Sequence, residues 1–355
     1  MKVNNKPSIL IIDKEQFGYL TDVYKWCEYL KNDYKITVVS SKINYRKTIG
    51  LDGIDVDYVK FHHNHRIINA IKLLAVSLYQ CLMAQGKIIV IYFPTCSILK
   101  KFLPFKKMQV DVRTLAVFED SDKRKSYDEL LKKECRKFDM VSAISKGVAN
   151  TMNIKDIRII PLGSDVISQK EKKYDDGINL IYVGTFSNRK LEDTILGLNL
   201  FIKSHPQEKV RYNIIGRGAN GEEERMKEIV IELGLEDVVK FFGFLPHSEV
   251  ATYMDRSNIG VCYVPVVDYY QHQPPTKTFE YILSGIYCIA TNTAANKELI
   301  IPENGCLIDS TPEGFKLGIE KFLEVRERLS DNSIRASLSD YSWNNIVSRY
   351  IKPLL

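Results

Sequence analysis

The sequence predicts an α/β protein with two doubly wound domains, each a parallel sheet covered by helices on both faces. First, its 355 residues exceed the size at which one hydrophobic core usually stops growing. Second, 45% hydrophobic and 26% charged residues are typical of globular proteins and exclude a disordered, collagen-like or coiled-coil chain. Third, apolar runs alternate with stretches of helical periodicity along both halves.

Apolar, β-branched runs mark the predicted strands. In the first half the strands are Ser8–Asp13, Lys35–Ser40, Asp55–Phe61, Lys87–Phe93, Met108–Arg113, Met140–Ile144 and Ile157–Pro161, with helices at Tyr19–Leu30, Arg66–Ala84 and Tyr127–Phe138. In the second half they are Ile178–Gly184, Val210–Gly216, Val238–Gly243, Ile259–Val264, Tyr287–Thr291 and Cys306–Ile308, with helices beginning near Lys190, Glu222, Pro246 and Thr276. Ligands of such sheets bind beyond the carboxyl ends of the strands.

The predicted domain boundary follows residue 163, after the turn Pro161-Leu162-Gly163. Residues 166–177 are polar and charged and are interpreted as a linker. A last helix is predicted from Trp343 to the end of the sequence.

Charge is distributed unevenly over the two halves. Residues 1–165 hold 28 Lys and Arg against 18 Asp and Glu, a net +10, whereas residues 166–355 hold 22 against 26, a net −4. A basic half indicates contact with nucleic acid, an anionic membrane surface or a phosphorylated substrate, and an ordinary solvated surface is the alternative.

Other features exclude several classes of protein. The seven cysteines are scattered, without a C-x-x-C pair, which favours reduced, buried thiols over disulfides or a zinc site. The weakly polar stretch 73–84 is shorter than the roughly 20 residues that span a bilayer. The N-terminal residues lack the apolar region of a signal peptide, so we expect a cytosolic protein.

The segment Gly216-Arg217-Gly218-Ala219-Asn220-Gly221 has the spacing of a dinucleotide-binding turn. Such a turn needs an acidic residue at the end of the next strand to hold a ribose. Here that strand runs into Gly243 and Phe244. The turn is therefore interpreted as backbone that lines a ligand cleft, not as a nicotinamide or flavin site.

The segment from Pro275 to Gly285 predicts a short helix with an anion at its start. Lys277 lies in the first turn, where it opposes the positive end of the helix dipole unless a phosphate is bound there. Glu280, one turn further on, is then placed to accept hydrogen bonds from a ribose diol. The alternative is that Lys277, Glu280 and Ser284 form a solvated face.

Three other groups of polar residues are candidates for ligand binding. The turn from Gly184 to Lys190 brings backbone N–H groups and basic side chains to a strand end, which suits a diphosphate, and a plain polar turn is the alternative. Three histidines between residues 62 and 65 are interpreted as a cationic loop, because at most two of them can converge on a metal. Asp111 and Arg113 end a strand and are expected at the cleft.

The second half resembles the glycosyltransferases of family 4, whose GT-B fold consists of two Rossmann-like domains facing across a cleft. The similarity runs through nearly all of residues 178–355, and its main motifs are the Gly184–Lys190 turn, Val239–Phe244, Pro275–Tyr281 and the stretch from Glu298 to Gly305. The first half is similar in outline only. The resemblance implies an acceptor-side domain at 1–163, a nucleotide-sugar-binding domain at 164–338 and a C-terminal helix at 339–355 that crosses back to the first domain.

The resemblance implies transfer of a sugar from a UDP- or GDP-linked donor, with retention at the anomeric carbon and with no metal or other cofactor. It implies that Lys190 neutralises the diphosphate, that Glu280 binds the ribose and that the Phe244–Leu245 turn borders the base. The implied donor-binding residues are Gly184, Thr185, Arg189, Lys190, Gly216, Arg217, Phe244, Leu245, Thr276, Lys277, Thr278 and Glu280. The implied catalytic residues are His272, Arg113 and Asp111, and the acceptor-side residues are Gly18, Tyr19, His63 and His65.

Three positions depart from the family pattern. His272 stands where the family has the first of two Glu residues, the one that contacts hydroxyls of the donor sugar. Arg113 replaces a family His, and Thr185 replaces a basic residue for which Arg189 compensates. These departures leave open a degenerate, non-catalytic protein that binds a nucleotide sugar or a partner, and a nucleotide-sugar epimerase is a further alternative.

The basic first domain is expected to hold the acceptor, a glycan or a polyprenyl-diphosphate-linked sugar, and to bind no nucleic acid. A membrane-facing patch is predicted at Lys72, Lys100, Lys101, Lys106 and Lys107. About 1 kcal/mol per Lys or Arg near an anionic surface is enough for reversible docking. We therefore expect a bacterial, cytoplasmic enzyme that associates peripherally with the inner face of the membrane and takes part in cell-surface polysaccharide synthesis.

Overall fold

The computed structural model describes residues 6–43 and 47–355 and divides into two compact units. The first unit comprises Met1–Leu162 and Trp343–Leu355, and the second comprises Gly163–Ser342. The C-terminal segment of the first unit is helical, with an α-helix at Trp343–Ile346, a π-helical turn at Val347–Ile351 and a 3-10 turn at Lys352–Leu354.

The first unit contains a seven-stranded parallel sheet. Its strands are β1 (Ser8–Asp13), β2 (Lys35–Ile43), β3 (Ile54–Phe61), β4 (Lys87–Ile91), β5 (Met108–Val112), β6 (Met140–Ala143) and β7 (Arg158–Ile159). Its helices are α1 (Thr21–Leu30), α2 (Arg66–Met83), α3 (Ser97–Phe102), α4 (Ser121–Cys135) and α5 (Lys146–Met152). The strand order is β3-β2-β1-β4-β5-β6-β7.

The second unit contains a six-stranded parallel sheet. Its strands are β8 (Ile178–Thr185), β9 (Val210–Arg217), β10 (Val239–Phe241), β11 (Ile259–Cys262), β12 (Tyr287–Thr291) and β13 (Gly305–Ile308). Its helices are α6 (Glu192–Ser204), α7 (Glu222–Glu232), α8 (His247–Asp255), α9 (Thr276–Leu283), α10 (Ala294–Lys297), α11 (Pro312–Val325) and α12 (Asp331–Ser337). The α-helix Trp343–Ile346, which belongs to the first unit, is α13. The strand order is β10-β9-β8-β11-β12-β13.

Both sheets have the order of a doubly wound fold, in which the chain starts in the middle, proceeds to one edge and then crosses to the other side. Every predicted strand is present. The central strands are buried along nearly their whole length, whereas the edge strands β3, β7 and β10 are only partly buried. The predicted two-domain α/β class is therefore confirmed. The helix expected at Tyr127–Phe138 begins earlier, at Ser121, because Asp120 caps it by accepting hydrogen bonds from the N–H groups of Asp122 and Lys123.

The predicted linker at 166–177 is not a free linker, because it packs into the second unit. Lys172 and Tyr174 are buried, and the Lys172 ammonium donates hydrogen bonds to Ser168 Oγ (2.8 Å) and to the Met254 carbonyl (2.6 Å). Burial lowers the pKa of Lys172 to about 8. The other charged residues of this segment are exposed, so only Lys172 combines a charge with burial and specific hydrogen bonds.

Candidate functional site

A cavity of about 290 Å³ opens at the carboxyl end of β8, within the second unit. It lies where the strand order reverses between β8 and β11, the usual ligand position in a doubly wound sheet. The residues that line it come from the end of β8, the turn after it, the loop after β11 and the start of α9: Val183, Gly184, Thr185, Arg189, Val264, Tyr270, Gln273, Pro274, Pro275, Thr276 and Lys277.

Lys277 places a buried ammonium group at this cavity. Its side chain is 8% exposed, and its Nζ atom lies 3.9 Å from the centroid of the Tyr182 ring. Among residues 6–43 and 47–355 no carboxylate pairs with this ammonium group. Burying an unpaired charge is unfavourable, so the site is complementary to an anion. The alternative of a solvated face at Lys277, Glu280 and Ser284 is wrong for Lys277 and Ser284, since both are buried.

Arg189 brings a second positive charge to the same cavity. Its guanidinium lies over the Tyr270 ring, with 4.7 Å between Cζ and the ring centroid. The Nη1 atom is buried and has no hydrogen-bond partner within the part of the chain that the structure describes. Unsatisfied buried donors are rare in native proteins, and a phosphate oxygen is the partner that a guanidinium accepts best.

The amino end of α9 forms the floor of the cavity and is open to an anion. Pro275 precedes the helix without a side-chain cap, and the first turn contains no acidic residue. The positive end of the helix dipole is thus available at Thr276 and Lys277. Thr278 does not contribute as predicted, because its N–H already donates to the Pro275 carbonyl and its Oγ1 points into the core, 3.1 Å from Asn296 Oδ1.

The turn after β8 selects Arg189, not Lys190, as the residue that lines the cavity. The backbone is left-handed on both sides of Arg189, with φ of 58° at Asn188 and 50° at Lys190. Lys190 is exposed beside the cavity. Thr185 is also exposed, and its Oγ1 donates to the Arg217 carbonyl (3.4 Å). The predicted contact of Lys190 with a diphosphate stays a prediction.

Two glycines allow the strand ends to approach the cavity closely. A Cβ atom at Gly216 would lie 1.7 Å from the carbonyl oxygen of Gly184, and φ is 146° at Gly216. A Cβ atom at Gly184 would lie 3.1 Å from Lys277 Nζ. The interpretation of Gly216 as part of a close backbone turn agrees with this geometry.

An exposed aromatic and a cation lie together at the ends of the outer strands. Arg217, which ends β9, lies over Phe244 with 5.6 Å between Cζ and the ring centroid. Phe244 is 65% exposed, and Leu245 beside it is half-buried. An exposed ring beside a guanidinium provides a flat surface on which a base can stack.

Glu280 and His272 lie near the cavity but do not line it. Glu280 is half-buried on α9, one turn after Lys277, and His272 is half-buried directly before Gln273, which does line the cavity. Their predicted roles in binding the ribose and the sugar stay predictions. Sequence reasoning missed Tyr182 and Tyr270, the two rings that hold the cations. The signal for Tyr182 is its spacing of two residues from Gly184, which puts both on one face of β8.

The family assignment follows from a comparison of the sequence with family models. The model described as glycosyl transferases group 1 matches residues 163–337, which are nearly all of the second unit. The second unit is therefore similar to the group 1 glycosyltransferases. The finer assignment to family 4 stays a prediction. No curated protein matches this chain.

Solved structures share the fold of this chain over almost its whole length. Sucrose-phosphate synthase from Thermosynechococcus elongatus superposes with a TM-score of 0.78 at 15% identity and covers 98% of both chains. HepE from Anabaena, solved in complex with UDP and glucose, superposes with a TM-score of 0.74 at 14% sequence identity. The match covers 98% of this chain and 99% of HepE. The lipopolysaccharide outer core galactosyltransferase WaaB, in its apo form, superposes with a TM-score of 0.72 at 14% sequence identity. The match covers 98% of this chain and 100% of WaaB. These similarities confirm the predicted GT-B fold.

In the first unit, a buried network of hydrogen bonds holds Arg113. Its guanidinium donates to Asp22 (2.5 Å), to Asp111 (3.5 Å) and to the Ile160 carbonyl (2.8 Å), and it lies over the Trp26 ring. Asp111 has no exposed surface, and desolvation raises the pKa of its carboxyl group. The prediction that Asp111 acts on a substrate is therefore not supported, because its carboxylate contacts Arg113 and Ser142 instead.

Asp13 is a buried acid that sequence reasoning missed. It is the last residue of β1, is 3% exposed and accepts a hydrogen bond from the N–H of Glu15 (2.9 Å). Desolvation raises the pKa of its carboxyl group to about 7. An acid at the carboxyl end of an otherwise apolar strand was the available signal.

The predicted acceptor-side residues follow β1 and β3, whose carboxyl ends share one edge of the sheet. At Gly18 φ is 87°, and the Tyr19 hydroxyl donates to the Lys47 carbonyl (3.2 Å). His63 and His65 are exposed at the start of α2. In the described part of the chain no group of three His, Cys, Asp or Glu side chains is arranged to hold a metal.

Proposed function

We propose that this protein transfers a sugar from a nucleotide-diphosphate sugar, UDP-linked in the first instance, to a hydroxyl group of a glycan or lipid-linked acceptor. The observation that carries the proposal is the buried ammonium of Lys277, which meets Arg189 and the first turn of α9 at one cavity. A diphosphate supplies the negative charge that this arrangement lacks. The complexes of HepE with UDP and with UDP-glucose support uridine as the base.

In the proposed reaction, the bond between the anomeric carbon and the diphosphate oxygen breaks. The anomeric carbon bonds to the acceptor oxygen, and the hydroxyl proton passes to the leaving diphosphate. Negative charge therefore grows on the diphosphate, where Lys277 and Arg189 stabilise it in a partly desolvated cavity. We propose that these cations make a divalent metal unnecessary and that the anomeric configuration is retained.

The residues around the cavity take the remaining roles in this proposal. Glu280 accepts hydrogen bonds from the ribose diol, and His272 contacts hydroxyls of the donor sugar in place of a carboxylate. Phe244 and Leu245 border the base, with Arg217 behind the Phe244 ring. Lys190 adds an exposed charge beside the diphosphate.

The first unit, in this proposal, binds the acceptor along the sheet edge that carries Tyr19, His63 and His65. The acceptor is a glycan or a sugar on a polyprenyl diphosphate carrier, and the product contributes to a cell-surface polysaccharide. The enzyme then works in the cytoplasm, peripherally on the inner face of the membrane. The excess of basic residues in the first half supports this location.

The test is a thermal-shift screen of UDP, GDP, ADP and TDP and their sugar conjugates. A ligand at 100 times its dissociation constant adds about 2.7 kcal/mol to the free energy of unfolding, which raises the Tm by several degrees. We expect UDP and one UDP-sugar to stabilise the wild type, Glu280→Ala to reduce the shift and the exposed-site control Lys203→Met to leave it unchanged.

Turnover is then measured as release of the nucleotide from the stabilising sugar conjugate, with lipid-linked and glycan acceptors. We expect His272→Ala to lower turnover while the thermal shift with UDP persists. A protein that no nucleotide stabilises contradicts the donor-site assignment. Stabilisation without turnover on any acceptor favours the non-catalytic, nucleotide-sugar-binding alternative.

A further inference from the structure

Helix α2 exposes an apolar surface on the first unit. Its 18 residues have a mean hydropathy of 1.3, and only 22% of them are buried. Its only charged residues are Arg66 and Lys72. The large apolar side chains that it exposes are Ile67, Ile68, Ile71, Tyr79, Leu82 and Met83. A helix that is apolar on its solvent side as well as on its core side is unusual in a soluble domain.

The opposite face fixes α2 to the sheet. Leu73, Ser77 and Cys81 are buried there. The Asn69 side chain exchanges two hydrogen bonds with the backbone of His62, at 3.0 and 2.8 Å. The helix is long and apolar enough to cross a membrane by length and composition, contrary to the expectation from residues 73–84 alone. Because its buried face packs on the first unit, the helix is suited to lie along a bilayer and not to cross it.

Two phenylalanines extend this surface. Phe102, at the end of α3, is 65% exposed, and Phe105, just after it, is 68% exposed. Helix α3 packs against α2. We call α2 together with Phe102 and Phe105 the apolar face.

The stretch of sequence that contains the apolar face carries only positive charges, and Asp57, which precedes it, accepts a hydrogen bond from Gln80 of α2. Between Asp57 and Asp111 the 53 intervening residues include eight Lys or Arg and no Asp or Glu. Lys72, Lys101 and Lys107 are exposed there. A second copy of this chain would present the same positive charge and be repelled, whereas an anionic lipid surface is attracted.

We propose that the apolar face inserts into the headgroup region of an anionic bilayer, with Lys72, Lys101 and Lys107 contacting lipid phosphates. The inference deepens the proposed function and rests on it for its biological meaning, because it names the surface that brings the enzyme to a lipid-linked acceptor. It goes beyond electrostatic docking by lysines, since the apolar side chains themselves enter the lipid. Its test is separable from donor binding, which takes place in the second unit.

Binding is measured by flotation of the full chain with vesicles of phosphatidylcholine alone or mixed with phosphatidylglycerol. We expect weak binding to phosphatidylcholine alone and much stronger binding to the mixed vesicles. Ile71→Ser with Leu82→Ser lowers the partition coefficient at least tenfold, and Lys72→Gln with Lys101→Gln lowers it about fivefold per lysine. Raising salt from about 0.1 M to about 1 M abolishes the effect of the lysine variant but not that of the apolar variant.

The matched control is Ile231→Ser with Leu317→Ser, which removes two exposed apolar side chains from the second unit. It leaves vesicle binding unchanged. All variants keep the wild-type thermal shift with UDP if they are folded and if the proposed function holds. A protein that binds vesicles but does not respond to UDP contradicts the proposed function and leaves this inference standing.

Insertion is measured with an environment-sensitive dye at Tyr79→Cys. All seven native cysteines are buried, so labelling is selective for the new thiol. We expect a blue shift with phosphatidylglycerol vesicles at position 79 and none with the dye at Ile231→Cys. Absent vesicle binding, an unchanged partition coefficient for the apolar variant or an unshifted dye overturns the proposal. So does a dimer, seen by light scattering, that the same apolar substitutions dissociate.

Discussion

Replacing Lys277 with methionine separates the stability of the protein from its affinity for the donor. Methionine has similar length and no charge, so it fills the same space beside Tyr182. In the free protein, burial of the unpaired ammonium group is unfavourable, and the cation–π contact with the Tyr182 ring offsets about 2 kcal/mol of this cost. The two effects nearly cancel, and we expect the Tm of the free variant within about 4 °C of wild type.

With a nucleoside diphosphate bound, the two effects no longer cancel. A hydrogen bond from a charged group contributes about 1.5–3 kcal/mol, so the loss of the Lys277 ammonium raises the dissociation constant about 10- to 100-fold. At a UDP concentration 100 times the wild-type dissociation constant, the stabilisation falls from about 2.7 kcal/mol to about 0.4–1.4 kcal/mol. The assay is thermal unfolding with and without UDP, confirmed by titration calorimetry, and Lys203→Met is the control.

The result that refutes this reasoning is a Lys277→Met protein that UDP stabilises as strongly as wild type. The ammonium then does not contact the diphosphate, and the cavity is not the donor site. A second contradictory result is a large loss of Tm in the free variant. It means that the charge is compensated in the apo protein and that the site needs no anion.

Three other substitutions follow from buried groups. Asp13→Asn removes an acid whose pKa is raised to about 7. Because the folded state holds that proton more tightly than the unfolded chain, the free energy of unfolding of the wild type falls by up to about 4 kcal/mol as the pH rises from about 4 to above 7. Denaturant melts at pH 5 and pH 8 should show a smaller difference between the two pH values in the variant. Gly216→Ala drives a Cβ into the Gly184 carbonyl and should lower the free energy of unfolding by about 3 kcal/mol or more in urea melts. Arg113→Leu leaves two buried carboxylates uncompensated and should cost about 3–5 kcal/mol, measured in the same way.

Each of these predictions has a contradictory outcome. An unchanged pH slope in Asp13→Asn means that another group controls it. A stable Gly216→Ala protein means that the ends of β8 and β9 are not in close contact. A stable but inactive Arg113→Leu protein assigns Arg113 to catalysis, whereas loss of stability with activity restored by Arg113→Lys assigns it to positioning.

The sheets could be predicted from the sequence because parallel strands are apolar on both faces, and the pattern depends on burial alone. Helix boundaries were less accurate, because α4 is mostly polar and its start is set by a single cap at Asp120. The linker interpretation failed for a related reason. Composition records the charge of Lys172 but not the hydrogen bonds to Ser168 and Met254 that allow it to be buried.

The candidate site was predicted in part. Strand-end and helix-start positions follow from topology, so Gly184, Arg189 and Lys277 were found. The sequence did not predict which basic side chain is buried at the cavity. A helical projection places Lys277 on a polar face, but this prediction holds only if one side of α9 is exposed to solvent. Helix α9 is buried on nearly every side, and no periodicity distinguishes a buried cation from an exposed one in such a helix.

The burial of α9 also explains why its first-turn cation stays without a partner. The Tyr281 hydroxyl accepts a hydrogen bond from the Val183 N–H (2.9 Å), which ties the helix to the end of β8. The Thr278 hydroxyl is held 3.1 Å from Asn296 Oδ1 in the core, and Gly260 provides the space in which the Tyr281 ring packs. Held by these contacts, the helix cannot turn Lys277 outward to be solvated. The ammonium group therefore stays at the cavity in the free protein, and in the proposed function the donor diphosphate meets a cation that needs no reorganisation to bind it.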